Sequence, residues 1–207
     1  MEEYNLVYLL DGKVYINLTN SCTNNCVFCI RDIKDDVVGA NLFLSTENVK
    51  ADDVIEQLEN IHDKLSSEII FCGYGEPMLK LDVIKEVAKY IKEKYPNTVL
   101  RINTNGHANI VYKRNVLPEL KGLIDKFSVS LNAENEEVYN KISVPNVDNA
   151  YEAVKEFIRE SVKQGFDTTA TIVTNYKGYD VNMQKCIEIT KELGANFRER
   201  PWIENGY

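Results

Sequence analysis

This sequence predicts an α/β fold, a partial (β/α)6 TIM-like barrel of parallel strands with an N-terminal β-hairpin extension. Two observations carry that expectation. Short apolar or β-branched runs alternate with helically spaced apolar residues about six times along the chain, the pattern of a parallel sheet joined by crossover helices. Right-handed crossovers curl such a sheet into part of a barrel. The second is an Asp11-Gly12 pair between two runs rich in Val, Ile, Leu and Tyr. It supplies the two positive-φ positions of a type I′ hairpin turn.

The elements follow in order. The hairpin strands cover 6–10 and 13–18. Val54, Ile55, Leu58, Ile61 and Leu65 recur at helical spacing, and His62 falls within that stretch. Residues 68–72 form a short apolar run ending at glycine, a buried strand. Val83, Ile84, Val87 and Ile91 line the next helix, which Pro96 ends. A strand over 98–103, a short helix over 116–123 and a strand over 126–132 come next. Asn149 with Glu152 resembles a capping box opening a long helix. Tyr151, Val154, Ile158 and Val162 form its stripe and Gly165 stops it. A strand over 167–174, a helix over 182–193 stopped by Gly194, and a strand over 196–200 complete the pattern. With no repeat, low-complexity tract or linker, residues 1–207 read as a single domain.

Hydrophobic residues make up 44% of the 207 and charged residues 27%, enough for an ordinary globular core. No apolar run is long enough to span a membrane. The acidic start Met1-Glu2-Glu3-Tyr4 is unlike a secretory signal, so the expected compartment is cytoplasmic. The formal charge of −8 argues against broad phosphate-backbone binding, so nucleic acid is not favoured. Arg31 to Asp36 mixes both signs and reads as a solvated loop.

Three of the five cysteines lie in Cys22-Thr-Asn-Asn-Cys26-Val-Phe-Cys29, a C-x3-C-x2-C spacing directly after a strand. Clustered thiolates point to zinc, copper(I) or an iron–sulfur cluster. Structural zinc needs a fourth ligand, and Cys72, Cys186, His62 and His107 are each isolated. Four-cysteine ferredoxin spacing is absent. A four-iron cluster with one open iron suits three cysteines, while a non-catalytic binding module stabilised by zinc or a cluster stays as the alternative.

Cys-x3-Cys-x-aromatic-Cys, with Phe28 in the aromatic slot, resembles the signature of the radical S-adenosylmethionine (SAM) superfamily. The stretch from Tyr15 through Cys22 to Cys29-Ile30-Arg31 is similar to the small TatD-associated radical SAM proteins. The resemblance implies that Cys22, Cys26 and Cys29 hold a [4Fe–4S] cluster whose fourth iron binds SAM. Reductive cleavage of SAM would give a 5′-deoxyadenosyl radical that abstracts hydrogen from a substrate. Phe28 would pack near the adenine. Gly73-Tyr74-Gly75-Glu76-Pro77 resembles the family's Gly-Gly-Glu-Pro turn, which binds the SAM amino group, with Tyr74 departing from the first glycine. There the glycines let backbone approach the ligand.

Asn103, Asn105, Ser130 and Asn132 sit at strand ends, the active face of barrel-like folds, and would bind the ribose and carboxylate of SAM. Arg31 is a candidate for tuning the cluster. Arg198-Glu199-Arg200 beside Thr174 is read as a surface strand or a grip on an anionic substrate. Trp202 and Tyr207 would cap the barrel mouth or a partner site. Cys72 and Cys186 read as structural, Cys72 being the better hydrogen donor of the two. A low-potential donor, flavodoxin or ferredoxin, is the implied electron source. The substrate is not assigned: a macromolecule could dock at the incomplete barrel, and a glycyl-radical-enzyme activase or a deazaguanine-synthase-like enzyme are the alternative activities.

Overall fold

A computed structural model describes residues 5–37, 39–62 and 67–203. The chain groups into two compact units. The first contains Met1–Cys22, Arg31–Asn103 and Glu119–Asp125; the second contains Thr23–Ile30, Thr104–Pro118 and Lys126–Tyr207.

In the first unit, β1 (Val7–Leu10) and β2 (Lys13–Ile16) pair antiparallel. Asp11 and Gly12 have φ of 50° and 71°, so the turn is of the type whose twist matches its strands. A second, short hairpin joins β3 (Asp36–Val37) to β4 (Ala40–Asn41), beginning at the end of the stretch read as a solvated loop. Next come α1 (Ala51–Asn60), β5 (Glu68–Phe71), a 3-10 turn over Pro77–Lys80, α2 (Leu81–Lys94) and β6 (Val99–Thr104). β2 pairs parallel with β5, and β5 with β6. Helix α1 is capped at Ile61, so His62 lies past its end. Leu65 and Tyr207 lie outside the described residues. Helix α2 buries Leu81, Ile84, Val87, Ala88 and Ile91, and Val83 stands half-buried at the edge of that stripe.

The second unit holds α3 (Ala108–Val111), β7 (Lys126–Ser130), α4 (Glu136–Ser143), α5 (Ala150–Lys163), β8 (Asp167–Thr174), α6 (Met183–Glu192) and β9 (Asn196–Pro201). β7, β8 and β9 are parallel neighbours. With β2, β5 and β6 of the first unit they make the expected six α/β strands. The 116–123 helix is reduced to a 3-10 turn, Leu117–Leu120. Helices α3 and α4 were not foreseen; Asn135 caps α4 by accepting from the Val138 amide.

The capping box at Asn149 is corrected. Asn149 adopts φ 53° and ψ 32° and its side chain makes no cap hydrogen bond. A capping side chain needs extended backbone at that position to turn back onto the first-turn amides, and left-handed backbone does not provide it. The stripe of α5 is otherwise as expected, with Phe157 and Ser161 added to it and Val162 at its half-buried margin. Phe127 on β7 meets Phe157 edge-on at 5.3 Å and Phe166 at 5.0 Å. Removing a buried phenyl ring forfeits both its transfer energy and its contacts. Phe127→Ala is therefore expected to lower stability by about 3–5 kcal/mol, read as a reduced urea midpoint. Truncating the exposed Val111 should change it by no more than about 0.5 kcal/mol.

Candidate functional site

In the first unit, the chain beyond β2 runs through Asn17–Ser21 to Cys22 and is clamped from two directions. Glu47 accepts from the Thr19 hydroxyl at 2.5 Å and the Asn20 amide at 2.9 Å, with Lys80 at 3.6 Å. Burial raises the Glu47 carboxyl; the Thr19 and Asn20 bonds and Lys80 outweigh it and hold the group below its ordinary value. The Asn20 side chain donates to Leu44 O at 2.8 Å and accepts from Leu44 N at 3.0 Å. Arg31 donates to the Asn20 carbonyl at 3.1 Å.

The second clamp is the glycine turn. A Cβ on Gly75 would stand 2.4 Å from Thr19 O and 2.5 Å from Ser21 O. The Glu76 amide donates to Ser21 O at 2.8 Å. A Cβ on Gly73 would overlap Asn17 Oδ1 at 1.9 Å. Both glycines thus press the turn onto the chain's own approach to Cys22, which adds an internal reason to the ligand access expected of them. Tyr74 is buried; its hydroxyl donates to Lys34 O at 2.5 Å and its ring meets Phe43 edge-on at 4.9 Å. Its side chain packs on the protein, so the departure from glycine leaves the turn backbone intact. The Glu76 carboxylate accepts from Met78 N at 3.0 Å and caps the 3-10 turn. Cys72 is half-buried just past β5, its amide bonded to Ile16 O at 2.8 Å.

In the second unit, the loop carrying Cys26 and Cys29 is tied to the end of α4. Asn25 N donates to Ser143 O and Val144 O at 3.1 Å each, Val27 N to Ile142 O at 3.0 Å, and Asn146 N to Thr23 O at 2.9 Å. Cys29 N donates to Cys26 O at 3.0 Å, closing a tight turn. Val144 is left-handed, at φ 43° and ψ 63°, a conformation β-branched residues rarely adopt. Phe28 is half-buried and meets Tyr176 at 6.0 Å, which in turn meets Trp202 at 5.0 Å. Asn105 is buried, with Nδ2 donating to the Thr23 hydroxyl at 2.7 Å and Oδ1 accepting from His107 N at 3.1 Å. Both ends of that amide serve the chain itself. His107, Thr23 and Tyr139 were not foreseen as site residues. Nothing in their separate sequence positions announces that they meet.

At the strand ends, Asn103 and Asn132 each bury a side-chain Oδ1 that finds no hydrogen-bond partner among the described residues. Asn132 is 1% exposed, has φ 59°, and donates its backbone amide to Thr171 O at 3.1 Å. Ser130 ends β7 half-buried. Thr174 donates to Glu199 at 2.8 Å and Arg198 to Ser128 at 2.9 Å, so the β9 run is bonded to its own sheet.

Among the described residues no three His, Cys, Asp or Glu side chains converge as ligands of a single metal ion. A cubane cluster asks something different, one soft thiolate for each of three irons. Cys22, Cys26 and Cys29 are half-buried and outside any disulfide. Buried acceptors without donors are rare in proteins, and SAM brings ribose hydroxyls and an ammonium that donate. The residues present fit the cluster and SAM in donor chemistry.

The model of the radical SAM superfamily matches residues 16–192, and the chain belongs to that superfamily. It is 33% identical over 149 residues to the probable GTP 3′,8-cyclase of Thermococcus kodakarensis, covering 72% of this chain and 43% of that protein. It is 24% identical over 194 residues to the FeMo cofactor biosynthesis protein NifB of Methanocaldococcus jannaschii, 88% of this chain and 63% of that one. Among solved structures, Streptococcus suis SuiB bound to S-adenosylmethionine aligns with a TM-score of 0.69 at 16% identity, over 92% of this chain and 40% of SuiB. TYW1 with a lysine-pyruvate adduct aligns with a TM-score of 0.62 at 15% identity, over 93% and 65%. These likenesses establish the mostly parallel α/β fold. As a superfamily member the chain is an enzyme whose cofactors are a [4Fe–4S] cluster and SAM. No helix among the described residues is long and apolar enough to cross a membrane.

The obstacle to a side chain at Gly75 is backbone, which cannot swing aside. Gly75→Ala is expected to lower stability by about 1–3 kcal/mol, measured as the urea midpoint. It should also lower the iron retained after anaerobic reconstitution, because the Thr19–Ser21 segment has to shift. An unchanged midpoint would mean that the segment yields freely.

Proposed function

We propose that the chain cleaves SAM reductively at a [4Fe–4S] cluster held by Cys22, Cys26 and Cys29, and uses the 5′-deoxyadenosyl radical to take hydrogen from a substrate. The observation that carries this reading is the Cys-x3-Cys-x-Phe-Cys segment within the matched range. Its loop backbone is bonded down at residues 23–27 while its thiols stay only half-buried.

The chain's own residues orient the cofactor and shield it from water. Phe28 offers a ring face or edge for the adenine. Carbonyls of the Gly73–Glu76 turn receive the ammonium of SAM. The unpartnered amide oxygens of Asn103 and Asn132 accept from its hydroxyls, and Ser130 and Asn105 complete the polar rim. Arg31, bonded to the Asn20 carbonyl, adds positive charge to the first unit's cysteine approach. The electron comes from a low-potential flavodoxin or ferredoxin. The single-domain reading of residues 1–207 is part of this proposal, as is the kinship with TatD-associated proteins.

The curated relatives include a cyclase named for GTP, RNA methyltransferases and a metal-cofactor biosynthesis protein. Such unlike activities over one shared region support a common SAM chemistry and leave the substrate to residues outside it. The chain spans 43% of the GTP cyclase, so substrate assignment rests on experiment.

The test is anaerobic purification and reconstitution, with iron, sulfide and zinc analysis, then dithionite and SAM. Wild type should bind about four irons, as a four-iron cluster requires, and release 5′-deoxyadenosine and methionine. Cys29→Ala should lose both properties and Cys186→Ala keep both. Equal loss in the two variants would mean that the ligands are misassigned. Stoichiometric zinc without iron, and no SAM cleavage, would replace the enzyme with a zinc-stabilised binding module.

A further inference from the structure

His107 is fully buried in the second unit, and its ring lies between two hydroxyls. Nδ1 is 2.9 Å from the Thr23 oxygen and Nε2 is 3.0 Å from the Tyr139 oxygen. Thr23 also accepts from Asn105 at 2.7 Å, and Tyr139 from Asn24 at 3.3 Å. Thr23 and Asn24 are the two residues that follow Cys22 in the cysteine loop. The imidazole thus grips both through one rigid ring, by way of Tyr139 in the case of Asn24.

Asn105 donates through its Nδ2 and so fills one of the two acceptor positions on Thr23. Burial keeps the ring neutral, pushing His107 down to about 4 against a weaker opposing bond to the Ala150 backbone. One ring nitrogen then donates and the other accepts, and the two hydroxyls take the complementary roles whichever tautomer is present. The ring is itself fixed from its backbone: His107 N donates to Asn105 Oδ1 at 3.1 Å and His107 O accepts from Val111 N at 3.0 Å.

We propose that His107 is the positioning residue of the cysteine loop, holding Thr23 directly and Asn24 through Tyr139 so that the loop presents its thiolates in one arrangement to the cluster. This rests on the radical SAM reading of the same loop. A buried aliphatic residue would fill the space, yet it would leave the Thr23 and Tyr139 hydroxyls inside the protein with fewer partners. Groups that orient metal ligands from behind commonly change metal affinity ten- to a hundredfold when removed.

The experiment compares wild type, His107→Leu, His107→Gln and the exposed control His62→Gln, each reconstituted anaerobically. The readouts are the rate of iron loss to a chelator, the EPR spectrum of the dithionite-reduced cluster and its reduction potential, with circular dichroism melting as the fold control. His107→Leu is expected to lose iron at least about tenfold faster than wild type and to show an altered EPR signal. His107→Gln, which keeps a donor and an acceptor, should recover part of both, and His62→Gln should match wild type. A folded His107→Leu with wild-type iron loss and EPR signal overturns the proposal and leaves the radical SAM reading standing. Failure of wild type to take up any cluster removes that reading instead. If His107→Leu does not fold, Thr23→Val decides, since it nearly keeps the shape and removes the hydroxyl; wild-type iron loss there overturns the proposal equally.

Discussion

The loop that carries Cys26 and Cys29 has no strand or helix ladder to absorb its backbone amides, yet buried amides must find partners. That constraint organises the second unit. Asn25 and Val27 donate to Ile142, Ser143 and Val144, and Thr23 accepts from Asn146. The carbonyls at the end of α4 are those a helix leaves without an internal acceptor role, so each element completes the other. Val144 bears the strain of this arrangement. Its left-handed backbone turns the chain out of α4 at the point where its carbonyl and its neighbour's receive one amide from the loop. Strained residues persist where the surroundings over-determine them, and here two hydrogen bonds do so.

The first unit solves the matching problem for the chain that leads into Cys22 by close approach. Gly75 lets the turn after β5 lie against two carbonyls of that segment, and Glu76 bonds to one of them. Glu47 holds the same segment through Thr19 and Asn20. Its carboxyl stays ionised because these donors and Lys80 outweigh its burial. The Gly-x-Gly-Glu pattern therefore has a physical reason within the chain itself, room for the neighbouring segment, beside the ammonium contact proposed for its carbonyls.

Much of the fold was legible because its signals are local. The Asp11-Gly12 turn, the glycine stops at Gly165 and Gly194, and the β-branched run 167–174 each act over a few residues, and each is found where expected. Helix α4 was missed although Asn135, Glu136 and Glu137 make a recognisable start. At eight residues it is too short for periodicity to speak. The Asn149 capping box failed because residue types are shared by several local conformations, and the positive φ that decides among them is set by packing. The superfamily was legible in the cysteine motif because its signature lies in spacing alone. The His107 network could not be read at all. Thr23 and His107 are 84 positions apart and Thr23 and Asn105 are 82 apart, and only the folded chain brings them together.

The same contrast between local and folded information separates the five cysteines. By type they are identical, and spacing singles out three. Burial then divides the rest. Cys186 is fully buried on α6, and desolvation, with Glu134 adding to it, pushes its thiol up to about 12. It is therefore a protonated apolar side chain at neutral pH, unsuited to a role that needs a thiolate. Cys72 shares the half-buried state of the motif cysteines, so exposure alone does not exclude it as a ligand. What distinguishes it is its support: it sits at the end of β5 with its amide in the sheet ladder and its carbonyl bonded to Tyr8, a rigid strand position. The motif cysteines instead lie on irregular backbone, where several thiolates can be turned toward one object. On the proposed assignment, the freedom of the backbone beneath each sulfur marks the ligating cysteines as much as the sulfur itself.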